Sequence, residues 1–135
     1  MIKTLFTYSK ILILFCFFCT FASVSKAGEV TNLRFGQGVS SMRIVFDATT
    51  EFGYKVFLLD GPKRLVVDVS DAEVAKKIKN VKDRNNFVGQ VRLGHIDDGK
   101  NRIVFDLQRP LVIKKVFMLS PQSTFNWRLA IDVEV

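Results

Sequence analysis

The sequence predicts an all-β fold, a sandwich or barrel assembled from one four-strand unit used twice. Three observations lead there. Apolar residues alternate with polar ones instead of recurring at helical spacing. Turn-forming residues punctuate the chain at short intervals. The pentapeptide RIVFD occurs twice, at Arg43–Asp47 and Arg102–Asp106, inside a longer ordered repeat.

The first 27 residues stand apart from this pattern. Lys3 and Lys10 accompany an apolar run from Ile11 to Ala22, and small or polar residues follow as far as Ala27. That is the layout of a secretory signal peptide, with Ser25 and Ala27 at the −3 and −1 positions of a cut before Gly28. A retained anchor is the competing reading, but the 12-residue run falls short of the ~20 that a spanning helix needs. Cys16 and Cys19 both lie in this segment, and Phe17 and Phe18 leave no room for the small residues a lipid-attachment cysteine requires. The exported chain, 28–135, then holds no thiol and must fold on an apolar core alone. Its 108 residues suit one domain with a single core. Its 17 basic and 13 acidic residues leave a charge of +4, which does not mark a dedicated nucleic-acid binder.

Candidate strands follow in order near 29–35, 42–48, 54–59, 64–69, 87–93, 101–107, 111–119 and 126–134. In the second, Ile44, Phe46 and Ala48 share one face while Arg43, Val45 and Asp47 share the other. In the sixth, Ile103, Phe105 and Leu107 oppose Arg102, Val104 and Asp106. Gly36-Gln37-Gly38, Asp60-Gly61-Pro62, Asp97-Asp98-Gly99 and Ser120-Pro121 supply turns between strands.

The repeat covers all eight. LRFG (Leu33–Gly36) matches VRLG (Val91–Gly94), and YKVFLL (Tyr54–Leu59) matches KKVFML (Lys114–Leu119). RLVVDV (Arg64–Val69) matches RLAIDV (Arg128–Val133). The offset grows from 58 to 59 to 60 to 64 along the chain, so insertions fall in turns and the halves span about 30–69 and 88–133. Between them, Ser70 and Glu73 have capping-box spacing, Val69 and Val74 can form a staple, and Val74, Ile78 and Val81 share a helical face. A short helix over 71–79 is expected to link the halves.

Arg and Asp recur four apart in four strands: Arg43/Asp47, Arg64/Asp68, Arg102/Asp106 and Arg128/Asp132. Within one strand such positions lie ~13 Å apart, too far to touch. Two antiparallel copies complement each other. With Val45 opposite Val66, Arg43 faces Asp68 and Asp47 faces Arg64; the second half would pair Arg102 with Asp132 and Asp106 with Arg128. Pairs of this kind contribute ~0.2–1 kcal/mol each and fix register, which explains all four copies without a ligand; the alternative is that the Arg–Asp sets form a ligand face.

Residues 30–69, VTNLRFGQGVSSMRIVFDATTEFGYKVFLLDGPKRLVVDV, resemble the AMIN domain. The matching features are an R-[IV]-V-[FL]-D strand, the segment around Pro62 and Arg64–Val69, and the weaker second copy ending RLAIDV, so the resemblance covers essentially 30–135. The AMIN domain precedes the catalytic domain of periplasmic N-acetylmuramoyl-L-alanine amidases and occurs near the N-terminus of some type IV pilus secretins. The resemblance implies a sandwich of two symmetric four-stranded sheets. It also implies a non-catalytic module that binds peptidoglycan and directs its host to the division septum.

Chemistry of other kinds has little support in the residues. A zinc amidase site needs histidine and acidic ligands. The only histidine, His95, is read as a loop residue, and no cysteine follows Cys19. Gly36-Gln37-Gly38 is too short for a phosphate loop, and Asp97-Asp98-Gly99 lacks the further ligands of a calcium loop. No enzyme activity, metal or cofactor is expected. The leading function is a free-standing wall-binding module. Its candidate ligand residues are Arg34 and Arg92, at matching positions of the repeat, with Gln37 and Asn126. Trp127 reads as core rather than as a stacking platform. The alternative is an adaptor docking on a secretin, an envelope complex or a separate amidase, with the basic run Lys76 to Arg84 as a contact. A remnant of a split amidase is a third reading.

Overall fold

The structure, a computed structural model, describes residues 26–135. The expected signal peptide lies almost wholly outside the described residues. Among the described residues nine strands form two packed sheets: β1 (Gly28–Gln37), β2 (Ser41–Ala48), β3 (Gly53–Leu59), β4 (Arg64–Ser70), β5 (Ala72–Val74), β6 (Val88–Asp97), β7 (Lys100–Leu107), β8 (Val112–Leu119) and β9 (Trp127–Glu134). The predicted all-β sandwich is thus observed, and each of the eight expected strands has its counterpart. One sheet has five strands in the order β5-β1-β2-β9-β8; the other has four, β3-β4-β7-β6. The departure from two four-stranded sheets is β5.

Period-two alternation places the core. Ile44, Phe46, Leu65, Val67, Ile103, Phe105, Leu129 and Ile131 are essentially inaccessible to water and line the inner faces. Phe46 and Phe105 occupy matching places in the two repeats and meet near the middle, with ring centroids 6.0 Å apart; Phe35 meets Phe105 edge-on at 6.2 Å. Offset and edge-on ring pairs are the favoured geometries, so the repeat supplies its own central contact.

The repeats are interlocked. Each half splits into two hairpins, one in each sheet: β1-β2 joins β9-β8, and β3-β4 joins β7-β6. The central ladders therefore run between halves. Val45 lies opposite Ala130, not Val66, and Val66 lies opposite Val104. The expected pairing within each half is corrected: Arg43 stands opposite Asp132 rather than Asp68, and Arg102 opposite Asp68 rather than Asp132. Likewise Asp47 faces Arg128 and Asp106 faces Arg64. The two copies of each strand have nearly the same pattern of charges, so sequence complementarity cannot distinguish a partner in its own half from one in the other.

The expected helix over 71–79 is also corrected. Asp71 takes a left-handed conformation, φ 62°, and Ala72–Val74 then add in parallel to the start of β1. The Ala75 N–H continues this edge by donating to the Val30 carbonyl. Only Lys76–Asn80 coils, as a 3-10 helix without a side-chain cap, pinned by the fully buried Ile78. A segment this short cannot hold an α-helix by itself, and the open edge of β1 satisfies its backbone instead.

Turns fall largely where expected. Gly61 and Gly99 adopt φ 65° and 70°, a region that favours glycine, between β3 and β4 and between β6 and β7. Gly36 and Gln37 belong to β1, with the reversal one step later at Gly38, whose N–H bonds the Ser41 carbonyl. His95 lies in β6 rather than in a loop. No helix among the described residues is long and apolar enough to cross a membrane.

Candidate functional site

The outward faces of the two sheets carry the charged residues of the repeat, and they are near copies. On the five-stranded sheet, Arg34 grips Asp47 with Nε–Oδ2 and Nη2–Oδ1 distances of 2.9 and 2.6 Å. Arg43 grips Asp132 at 2.6 and 2.8 Å. On the four-stranded sheet, Arg92 holds Asp106 at 2.9 and 2.7 Å, and Arg102 holds Asp68 at 2.7 and 2.9 Å. All four are two-pronged forks, the geometry in which a guanidinium binds a carboxylate best. Donating to these carboxylates raises the pKa of all four arginines, and accepting from Arg43 lowers that of Asp132.

Arg34 and Arg92, the expected ligand residues, are therefore engaged within the fold. Each sits opposite a valine, Val45 or Val104, and reaches diagonally to the next aspartate. This takes the carboxylate that Arg128 or Arg64 would otherwise hold across the central ladder. Among the described residues Arg128 and Arg64 have no carboxylate partner. The Arg128 guanidinium lies 4.5 Å from the Phe125 ring, and its Nε is buried without a hydrogen bond. The Arg64 Nε donates to the Pro62 carbonyl at 3.1 Å. Each face thus has three arginines for two aspartates. The surplus was open to counting in the sequence once Arg34 and Arg92 were placed in the same rows.

Aromatic residues complete the rows. Phe117 is flanked by Arg43 and Lys115 at 5.4 and 4.9 Å, and Phe57 by Arg102 and Lys55 at 5.6 and 5.4 Å. Lys115 and Lys55 also stand opposite Asp132 and Asp68. Ala130 and Val66, opposite the two phenylalanines, are buried although they point away from the core. Each face offers four cations, two carboxylates and a central phenylalanine, and the five-stranded face adds Phe125 beside Arg128. Such a surface can donate forked hydrogen bonds to oxygen-rich ligands and lay a ring against apolar faces of sugars.

The other expected residues lie apart from these rows. Gln37, at the end of β1, donates through its amide to the carboxylate of Asp83. Asn126 is exposed in the turn before β9, and Trp127 is partly buried against the core. The His95 Nδ1 meets the Asn101 side chain at 3.1 Å. Among the described residues no group of three or more His, Cys, Asp or Glu side chains is placed to hold a metal ion.

Residues 32–133 match the AMIN domain family along nearly the whole of the sandwich. The chain belongs to the AMIN family. AMIN relatives of similar sequence include the N-acetylmuramoyl-L-alanine amidase AmiC of Escherichia coli O6:H1, 28% identical over 115 residues, covering 82% of this chain and 27% of that enzyme. AmiC of Neisseria meningitidis serogroup B is 28% identical over 116 residues, covering 83% of this chain and 28% of the enzyme. The AMIN chain described here therefore spans little more than a quarter of the length of these amidases.

Proposed function

We propose that this chain is an exported, periplasmic peptidoglycan-binding module that targets the envelope and has no catalytic activity of its own. The guanidinium left without a carboxylate on each outward face, Arg128 and Arg64, is the observation that carries the reading. Peptidoglycan presents sugar hydroxyls, acetamides and peptide carboxylates, all acceptors for a guanidinium fork. Phe117 and Phe57 stand two residues from the surplus arginines' cross-strand partners and offer rings for sugar faces. Membership of the AMIN family, and relatives named as N-acetylmuramoyl-L-alanine amidases, support a cell-wall role.

Co-sedimentation with purified sacculi at low salt tests this. The chain is expected in the pellet, and Arg64→Ala/Arg128→Ala is expected to lower the bound fraction several-fold while remaining folded. Arg34→Ala/Arg92→Ala should weaken binding by a different route, because Asp47 and Asp106 become available to Arg128 and Arg64. A wild-type chain that stays in the supernatant overturns wall binding and leaves the adaptor reading. Full binding by Arg64→Ala/Arg128→Ala removes the outward faces as its site.

A further inference from the structure

We infer that the linker between the repeats builds a separate ligand site, a cationic cleft that takes a carboxylate-bearing wall peptide. The inference rests on the peptidoglycan reading and gives it a second, chemically distinct point of contact. The cleft has a volume of about 570 Å3 and lies between the segment 79–86, the start of β6 and the residues after β7. That volume is typical of pockets for small ligands.

Three cations line it: Lys79, Lys82 and Arg109. The one carboxylate in the lining, Asp83, makes no ion pair with them and leaves the cations in excess. It is 8% exposed and turned inward, accepting backbone N–H bonds from Asn85 at 3.0 Å, Phe87 at 2.6 Å and Val88 at 3.0 Å, besides the Gln37 amide. The same bonds fix the wall of the cleft to the end of β1. Arg109 is held in place by the Phe87 ring, 5.3 Å from its guanidinium carbon, and the Gln108 N–H bonds the Phe87 carbonyl at 2.9 Å. The walls of the cleft and Arg109 are therefore set before any ligand arrives, which reduces the ordering cost of binding.

The rest of the lining selects among anions. Asn86, Gln90 and Gln108 contribute side-chain amides, each both donor and acceptor, above a floor that includes the buried Val88 and Val91. Gly89 leaves the space that Gln108 occupies, since a Cβ there would lie 2.2 Å from the Gln108 Nε2. A bare inorganic anion would use the cations and the amide N–H donors, and leave the amide carbonyls and the apolar floor idle. A short peptide with free carboxylates uses all of them. Segment 79–86 lies outside the repeat, so the repeat duplicates the outward faces but not this cleft.

The test is an amide-resolved NMR titration of the full chain, expressed from Met1, with the stem tripeptide L-alanyl-γ-D-glutamyl-meso-diaminopimelate. Neutral chitotetraose and inorganic phosphate form the other arms. Shifts are expected over 79–91 and 108–109 with the tripeptide, saturating at one ligand per chain. Lys82→Ala/Arg109→Ala should weaken it at least roughly tenfold by removing charge-assisted bonds. No shifts in the cleft, shifts confined to the outward strands, or an equal response to phosphate would each overturn the site. The two readings separate cleanly. Sacculi that pellet the chain while the tripeptide leaves the cleft unmoved sink the cleft alone. Tripeptide binding without sacculus binding sinks the wall-module reading and leaves an anionic-peptide site.

Discussion

Asp83 controls how the linker meets the sandwich. Burial opposes its ionisation, but the N–H groups of Asn85, Val88 and Phe87 and the Gln37 amide together outweigh that and hold its pKa below the ordinary carboxylate value. Asp132 is lowered by its bond from Arg43. A depressed carboxylate contributes stability that is complete above its unfolded pKa of about 4 and is lost as pH falls through the folded value. Urea midpoints should therefore be flat above about pH 5 and fall below about pH 4. Asp83→Asn should lessen that fall, and Asp83→Ala should cost about 2–3 kcal/mol by leaving buried N–H groups unpaired. No pattern in the sequence announces this role. Asp83 lies in a polar stretch, and its partner Gln37 is 46 positions away. Arg34 and Arg92 were conspicuous as matched arginines before glycines. That they hold Asp47 and Asp106 depends on strands that only the fold brings together.

At the scale of elements, the ladder between β2 and β9 decides which half meets which. Arg43→Asp places like charges opposite Asp132 and should cost about 1 kcal/mol, a small effect because both side chains are partly exposed. Adding Asp132→Arg should restore the loss in a double-mutant cycle by thermal melts, whereas adding Asp68→Arg should not. The opposite result would support pairing within each half. The eight long strands were legible because a side-chain period of two survives in each, with apolar residues at every other position. The three-residue β5 was not, since so few residues hold no periodicity. Its segment instead carried a capping-box spacing and a short apolar helical face, local signals that the vacant edge of β1 overrode.

For the whole molecule, the duplication was visible in four matched blocks, but their exchange between sheets was not. Either half could pair with itself or with its twin on the strength of charge and apolar pattern. The choice lies in which arrangement closes one core around Phe46 and Phe105. Fragments 28–70 and 71–135, produced separately, should each lack a cooperative melting transition, and mixing them should restore it. A fragment that folds alone would contradict the interlocked core.

The exchange also sets how the domain bears tension. β1 and β9 flank β2 and both run antiparallel to it, so the start of β1 and the end of β9 lie at opposite ends of the sheet. Force applied between Gly28 and Val135 drags these strands lengthwise in opposing directions. It loads rows of hydrogen bonds together in shear instead of unzipping them one by one. A module pulled between its termini would hold where the same sheet, pulled across its strands, would peel.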